Sequence, residues 1–186
     1  MPCYTTTISS PLGRLTLSSD GDFLTGLWIQ DQKYFGGKVL KGECREDGSL
    51  PAFSAAAAWL SRYFAGERPV PGELSLQPEG SPFQQEIWKL LCEIPYGQVT
   101  TYGALAREAA LRLGRERMSG QAAGGAVGHN PISIIIPCHR VVGADGSLTG
   151  YAGGISKKVW LLEHEGVDMR GIFWPEQKEK ENEEGG

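Results

Sequence analysis

The chain has no apolar run long enough to span a bilayer, no Cys-x-x-Cys pair, no histidine before His129 and little net charge. The first absence excludes a helical membrane span. Met1-Pro2-Cys3-Tyr4 opens in a strand-like pattern rather than in the basic and apolar regions of a signal peptide, so the expected location is cytoplasmic. Cys3, Cys44, Cys92 and Cys138 are scattered, which argues against a disulfide framework and a zinc ribbon and favours reduced thiols. What remains is ordinary: 186 residues at 40% apolar content suit one large globular domain or two small ones.

The formal charge of −4 is unevenly spread. Residues 81–170 carry nine basic and eight acidic groups, residues 1–80 carry seven and nine, and residues 171–186 carry two and five. Arg107, Arg112, Arg115 and Arg117 cluster in the middle region, where they either face phosphates or merely solvate a helix.

Alternation and turn residues predict strands over 4–8, 15–18 and 23–29, an antiparallel meander. A helix is expected over 53–65, with Trp59, Leu60, Tyr63 and Phe64 on its apolar face and Gly66 ending it. The polar, Gly-rich stretch 30–50 reads as loop, residues 74–76 as a returning strand, and 66–80 as an inter-domain connection rich in Pro and Gly. Nothing in this half groups reactive side chains. Ser81, Pro82 and Gln84 then set up a capping box for a helix that stops before Pro95. Further helices are expected from 101 to 114 and from 119 to 127. A strand-turn-strand around Asp145-Gly146-Ser147 follows, and a last helix over 155–165. Two helices joined by a tight connection and followed by a strand pair have the shape of a winged helix-turn-helix. Residues 175–186 read as a charged, disordered tail.

One stretch concentrates chemistry: residues 130–143, in which Ile132, Ile134, Ile135 and Ile136, bounded by Pro131 and Pro137, lead into Cys138-His139-Arg140. The β-branched run predicts a short buried strand ending at Pro137, with Cys138 at its end. A thiol is a strong nucleophile only as thiolate, and His139 and Arg140 offer a base and a positive field to produce it. A buried structural cysteine is the competing reading.

Pro137-Cys138-His139-Arg140-Val141, with Asn130-Pro131 upstream and Tyr151-Ala152-Gly153-Gly154 downstream, resembles the active-site signature of the O6-alkylguanine-DNA alkyltransferases, the methylated-DNA-protein-cysteine methyltransferases. The resemblance runs from about residue 83 to 166 and weakly into the N-terminal part. It implies an α+β fold, with a small RNase H-like sheet-plus-helix domain over residues 1–80 and a winged helix-turn-helix domain over residues 81–170. Residues 171–186 are the tail. It makes Cys138 the nucleophile, His139 a base acting through water and Glu165 its orienter, with Asn130 also among the catalytic residues. Tyr102 then supports the leaving base through its hydroxyl. Tyr102, Pro137, Val141, Tyr151, Ala152 and Gly153 line the substrate pocket, Gly153 and Gly154 leaving room for backbone to approach the ligand.

The helix over 119–127 is poor in large side chains, which suits close packing against a neighbouring helix and close approach to DNA equally well. The resemblance assigns it to the minor groove, with Gln121, Ala122, Ala123, Gly124 and also Arg140 at the DNA. Relatives insert an arginine from this helix into the gap left by the flipped base, and Gln121 stands at that position here, without the charge or planar stacking of a guanidinium. Some relatives hold zinc through N-terminal Cys and His; lacking a histidine there, this chain is not expected to, and no metal or organic cofactor is expected. The implied function is DNA repair by one-time transfer of an alkyl group, mainly methyl, from O6-alkylguanine in double-stranded DNA to Cys138 of a monomer. O4-alkylthymine is a second substrate candidate. A non-catalytic lesion-binding protein and a Cys-His hydrolase are the alternative readings.

Overall fold

The computed structural model describes residues 2–174. Strands β1 (Tyr4–Ser10), β2 (Gly13–Ser19) and β3 (Leu24–Ile29) form the predicted antiparallel meander, with Ile8 opposite Leu15 and Leu17 opposite Leu27. Leu15 and Leu17 alternate inward along β2, as a sheet with one covered face requires. Residues 30–50 are not wholly loop. They include a 3-10 turn, Val39–Lys41, and a short strand β4 (Arg45–Glu46) that pairs parallel with β1, giving the order β3-β2-β1-β4.

That pairing overturns the expectation of four reduced thiols. Tyr4 lies opposite Arg45, so the preceding residues, Cys3 and Cys44, meet at a Cα separation of 4.6 Å and are joined by a disulfide. Strand register, which spacing along the chain does not reveal, brings them together. Cys92 and Cys138 are free.

Helix α1 (Pro51–Phe64) starts on Pro51 and buries Phe53, Ala56, Trp59, Leu60 and Tyr63 along one face. The expected strand at 74–76 is reduced to one bridge between Leu24 and Leu76. Helix α2 (Pro82–Cys92) has the predicted capping box: the Gln84 backbone N–H donates to Ser81 Oγ while Gln84 Oε1 accepts from the Ser81 N–H. Thr101 and Ser119 cap α3 (Tyr102–Arg112) and α4 (Gly120–Gly128) in the same way, without the box. Strands β5 (Thr100–Thr101) and β6 (Val141–Val142) pair parallel, and α5 (Ile155–His164) closes the fold.

Past β6 the chain turns through residues 143–147, where the Gly143 N–H donates to the Ser147 carbonyl. Gly146, at φ 88°, is required, since a Cβ there would stand 1.9 Å from the Gly171 carbonyl oxygen. Residues 171–174, read from sequence as the start of the tail, are part of this turn region. The Leu148 N–H donates to the Phe173 carbonyl, and Ile172 and Trp174 pack near Val142, Leu148, Leu162 and Val167. The charged tail, 175–186, lies outside the described residues.

The two halves are joined through backbone as well as side chains. Leu27 on β3 donates to the Pro131 carbonyl and accepts from the Ser133 N–H, so the segment leading to Cys138 docks on the N-terminal sheet. One continuous apolar core runs from Leu15 and Leu27 through Trp59 and Trp88 to Ile136 and Leu161.

Candidate active site

Cys138 stands on a 3-10 turn, Cys138–Arg140, and not at the end of a strand. Residues 132–136 turn back on themselves instead of extending: Ile134 is left-handed at φ 72°, and the Ile135 N–H reaches the Ser133 carbonyl two residues earlier. A β-branched residue rarely adopts this conformation, which costs on the order of 1–3 kcal/mol unless its surroundings enforce it. Asn130 enforces it. Its Nδ2 donates to the carbonyls of Ile132 (3.3 Å) and Ile136 (2.8 Å), while its Oδ1 accepts from the Ile132 N–H (3.0 Å). Asn130 therefore positions the nucleophile, through hydrogen bonds that the two prolines and four isoleucines concealed.

The thiol is 4% exposed. Burial raises its pKa, opposed by the neighbouring Asn130 amide and by the charge of Lys158. The free protein thus keeps Cys138 protonated, and deprotonation must accompany reaction. The positive field expected from Arg140 comes from Lys158 instead, a fully buried residue on α5 whose Nζ donates to the carbonyls of Val141 (2.5 Å) and Thr149 (3.3 Å). Burial lowers its pKa to about 8, against the pull of Cys138. Sequence reading passed over Lys158, because on a helix pattern a lysine reads as surface.

His139 is fully buried and bonds through Nε2 to Glu165 Oε2 at 2.5 Å. Burial lowers the imidazole pKa more than Glu165 raises it, so the ring is neutral near pH 7. Burial alone would raise the Glu165 carboxyl; the hydrogen bonds from His139 and Arg140 and the Arg140 charge outweigh it and hold the group well below the usual carboxylate range. An ionised carboxylate can only accept, so Nε2 carries the ring proton. That leaves Nδ1 as the acceptor, and among the described residues it has no protein partner.

Arg140 points the same way as His139. Its Nε and one terminal nitrogen donate to Glu165 at 2.7 and 3.2 Å, and its other terminal nitrogen donates to the Ile94 carbonyl at 2.7 Å. A guanidinium spent on three internal bonds at 5% exposure is no phosphate ligand, which corrects its assignment to the DNA surface. Tyr63, from α1 in the N-terminal half, completes the set by donating to Glu165 Oε2 at 2.7 Å. The N-terminal half groups no reactive side chains of its own, yet it contributes this one hydroxyl to the network. The pair is 102 residues apart, and no local pattern links them.

Tyr102, the first residue of α3, is half-buried, with its pKa pushed up to about 12 by burial and by Cys138. Its hydroxyl donates to the Thr149 carbonyl at 2.8 Å. Pro137 and Val141 are buried beside the thiol turn, and Tyr151 is buried with its hydroxyl lacking a protein partner among the described residues. Ala152 is partly exposed, its carbonyl held by the Lys33 N–H. A Cβ at Gly153 would meet the Tyr151 ring at 2.8 Å and Ile29 at 3.2 Å, so the smallness of this residue seats Tyr151.

On α4, Gln121, Ala122 and Gly125 are exposed. Ala123 is fully buried and Gly124 packs near the Tyr102 ring, so these two serve helix packing rather than the outer face. Arg112 is likewise taken, bridging Glu86, Glu93 and Glu108, whereas Arg107 is exposed.

Known proteins with this arrangement decide its family. Residues 3–78 match the profile described as 6-O-methylguanine DNA methyltransferase, ribonuclease-like domain, and residues 82–167 match the 6-O-methylguanine DNA methyltransferase, DNA binding domain. The chain belongs to the methylated-DNA–protein-cysteine methyltransferase family. It is 42% identical over 164 residues to the family member of Haemophilus influenzae, covering 88% of this chain and 87% of that protein, and 40% identical over 181 residues to that of Methanosarcina barkeri, covering 90% and 99%. A crystal structure of Mycobacterium tuberculosis OGT in complex with DNA superposes with a TM-score of 0.74 at 42% identity, covering 87% of this chain and 92% of that one. The methyltransferase fold, a sheet-and-helix half and a winged helix-turn-helix half, is the one found here.

Proposed function

We propose that this methyltransferase repairs double-stranded DNA by moving the alkyl group of O6-alkylguanine, mainly methyl, onto Cys138. Support comes above all from one arrangement: a buried thiol followed by a neutral histidine whose Nε2–H is committed to Glu165, which leaves Nδ1 free to take a proton. Residues 1–80 act as the supporting domain and residues 81–170 as the DNA-binding and transfer domain.

The target base must leave the stack to reach a thiol this buried, at a cost of roughly a few kcal/mol offset by contacts to the opened duplex. The exposed face of α4, with Gln121 and Ala122, supplies those contacts. In the pocket, the Cys138 proton passes through a water to His139 Nδ1 as Sγ attacks the alkyl carbon in line. The Sγ–C bond forms as the C–O6 bond breaks, and the electron pair stays on the guanine. Tyr102, protonated at all ordinary pH, turns its O–H from Thr149 to the base and stabilises that charge, and solvent restores the base proton. The product is a thioether, so each molecule acts once. This reading has the protein acting as a cytoplasmic monomer; among the described residues no helix is long and apolar enough to cross a membrane. A sedimentation mass of two chains would contradict the monomer.

Intact and peptide mass spectrometry after mixing with a duplex containing O6-methylguanine tests the proposal. One added methyl on the Cys138 peptide, absent from Cys138→Ala, is expected. Lesion-specific binding without an adduct would replace the reading with a damage-recognition protein.

A further inference from the structure

Helix α4 contains no charged residue, so its outer face offers phosphate polar donors but no positive charge of its own. The exposed positions Gln121, Ala122, Gly125 and His129 nevertheless form a continuous surface along it. That surface does not stop at the C-terminal half. The His129 ring stacks on Tyr34 of the N-terminal half, with centroids 4.1 Å apart and planes inclined by 23°.

Tyr34 belongs to residues 30–42, which carry Lys33, Lys38 and Lys41 against a single acid, Asp31. All three lysines are exposed. Tyr34 and the adjoining Phe35 are each 46% exposed, and the Lys33 Nζ lies 5.0 Å from the Tyr34 ring centroid. Tyr34 is also left-handed, at φ 60°. Folding stability selects neither an exposed aromatic ring nor a strained backbone, and their coincidence at one residue points to use. A groove of about 740 Å³ runs from Tyr34 and Phe35 past Lys38 and Lys41 to Trp88 and His129, with Glu79 its one acidic wall. A smaller recess of about 310 Å³ continues from Lys33 and Tyr34 over Gly124 and Gly125 to Tyr151 in the active site.

We propose that residues 33–41 form a second DNA-binding surface, in which Lys38 and Lys41 hold backbone phosphates beside the extruded nucleotide and Tyr34 with His129 offers a stacking platform. Lysine charge with exposed rings is the combination that takes a locally opened strand: the charges follow the backbone, and the rings stack on bases without selecting sequence. The N-terminal half thereby supplies the positive charge that α4 lacks. This inference rests on the DNA-repair reading above.

The test measures affinity for a duplex containing O6-methylguanine across a salt series, for wild type, Lys38→Ala/Lys41→Ala and Tyr34→Ala, with the melting temperature of each variant. The slope of log affinity against log salt should become shallower by about one for each lysine removed. Tyr34→Ala should weaken binding about tenfold or more while leaving the slope unchanged, as loss of one stacked base would. Double-lysine and Tyr34 variants that melt like wild type and bind with unchanged affinity and slope would overturn the assignment. Wild-type protein that takes no methyl onto Cys138 would instead overturn the function itself, whatever the slopes.

Discussion

Residues 3–78 and 82–167 match two different domain profiles, and they use polar groups in opposite ways. In the C-terminal half, charged and titratable side chains are driven inward: His139, Arg140, Lys158 and Glu165 are all buried within reach of one thiol turn. In the N-terminal half the lysines and carboxylates stay outside, and Tyr63 alone sends a titratable group into the site. Buried charge is tolerated only where each group is paired, so the C-terminal half depends on its network, whereas the N-terminal half depends on apolar packing and on a disulfide. Chemistry and support are thereby separated, yet they meet through the shared apolar core, the backbone pairing of Leu27 with residues 131–133, the Lys33–Ala152 bond and the Tyr63–Glu165 bond.

The contrast breaks most severely at Glu165. Glu165→Ala leaves Arg140 and His139 buried without their anion, a loss of about 3–5 kcal/mol. Thermal unfolding should report it, and methyl transfer should fall with it. A variant that melts within a few degrees of wild type would mean that the network is less tightly coupled than its distances imply.

On the other side of the comparison, Cys3→Ser/Cys44→Ser opens a loop of sequence separation 41 and should cost about 2–4 kcal/mol of stability. Transfer to Cys138 at a temperature where the variant stays folded should be unchanged. A slower transfer there would show that the N-terminal sheet steers the chemistry and does not merely hold it.

Lys158→Met removes the one charge that, among the described residues, favours the thiolate. Without it the thiol pKa rises further, and the thiolate population falls. The single-turnover rate near neutral pH should therefore drop, with DNA affinity retained. Below pH 8 wild-type Lys158 is charged, and rate and variant should diverge most there.

How much of this was legible in the sequence follows the range of the interactions. Local signals were readable: the period-2 strands, the Ser81–Gln84 capping box, the glycine after α5. The Cys138 motif and Glu165 were readable by resemblance. Residues 132–136 misled, because β-branched residues between prolines look like a strand, while the turn they adopt depends on the Asn130 amide and on docking against Leu27. Lys158 was invisible because its burial depends on two carbonyls supplied by other segments. The Cys3–Cys44 disulfide and the Tyr63–Glu165 bond require strand register and helix packing, which operate across 41 and 102 residues.

Tyr63→Phe is the smallest change and tests the comparison most closely. It removes one hydroxyl and keeps the ring, which stacks on Trp59 and packs near Tyr96 and His164, so the aromatic contact between α1 and α5 survives. The loss of stability should be on the order of 1 kcal/mol. A purely structural tyrosine would stop there. A positioning tyrosine also moves a titration: deprived of the Tyr63 donor, Glu165 Oε2 interacts more strongly with the His139 Nε2–H and favours the imidazolium. In wild type the His139 pKa lies below 6.5, because burial keeps the ring neutral, and transfer should persist as pH falls to that range before protonation of Nδ1 stops it. In Tyr63→Phe the His139 pKa rises, so the acid limb of the single-turnover rate should move to higher pH while the rate above pH 8 stays near wild type. Superimposed limbs would confine the N-terminal half to support, and a shifted limb would place one of its side chains within the proton-transfer network.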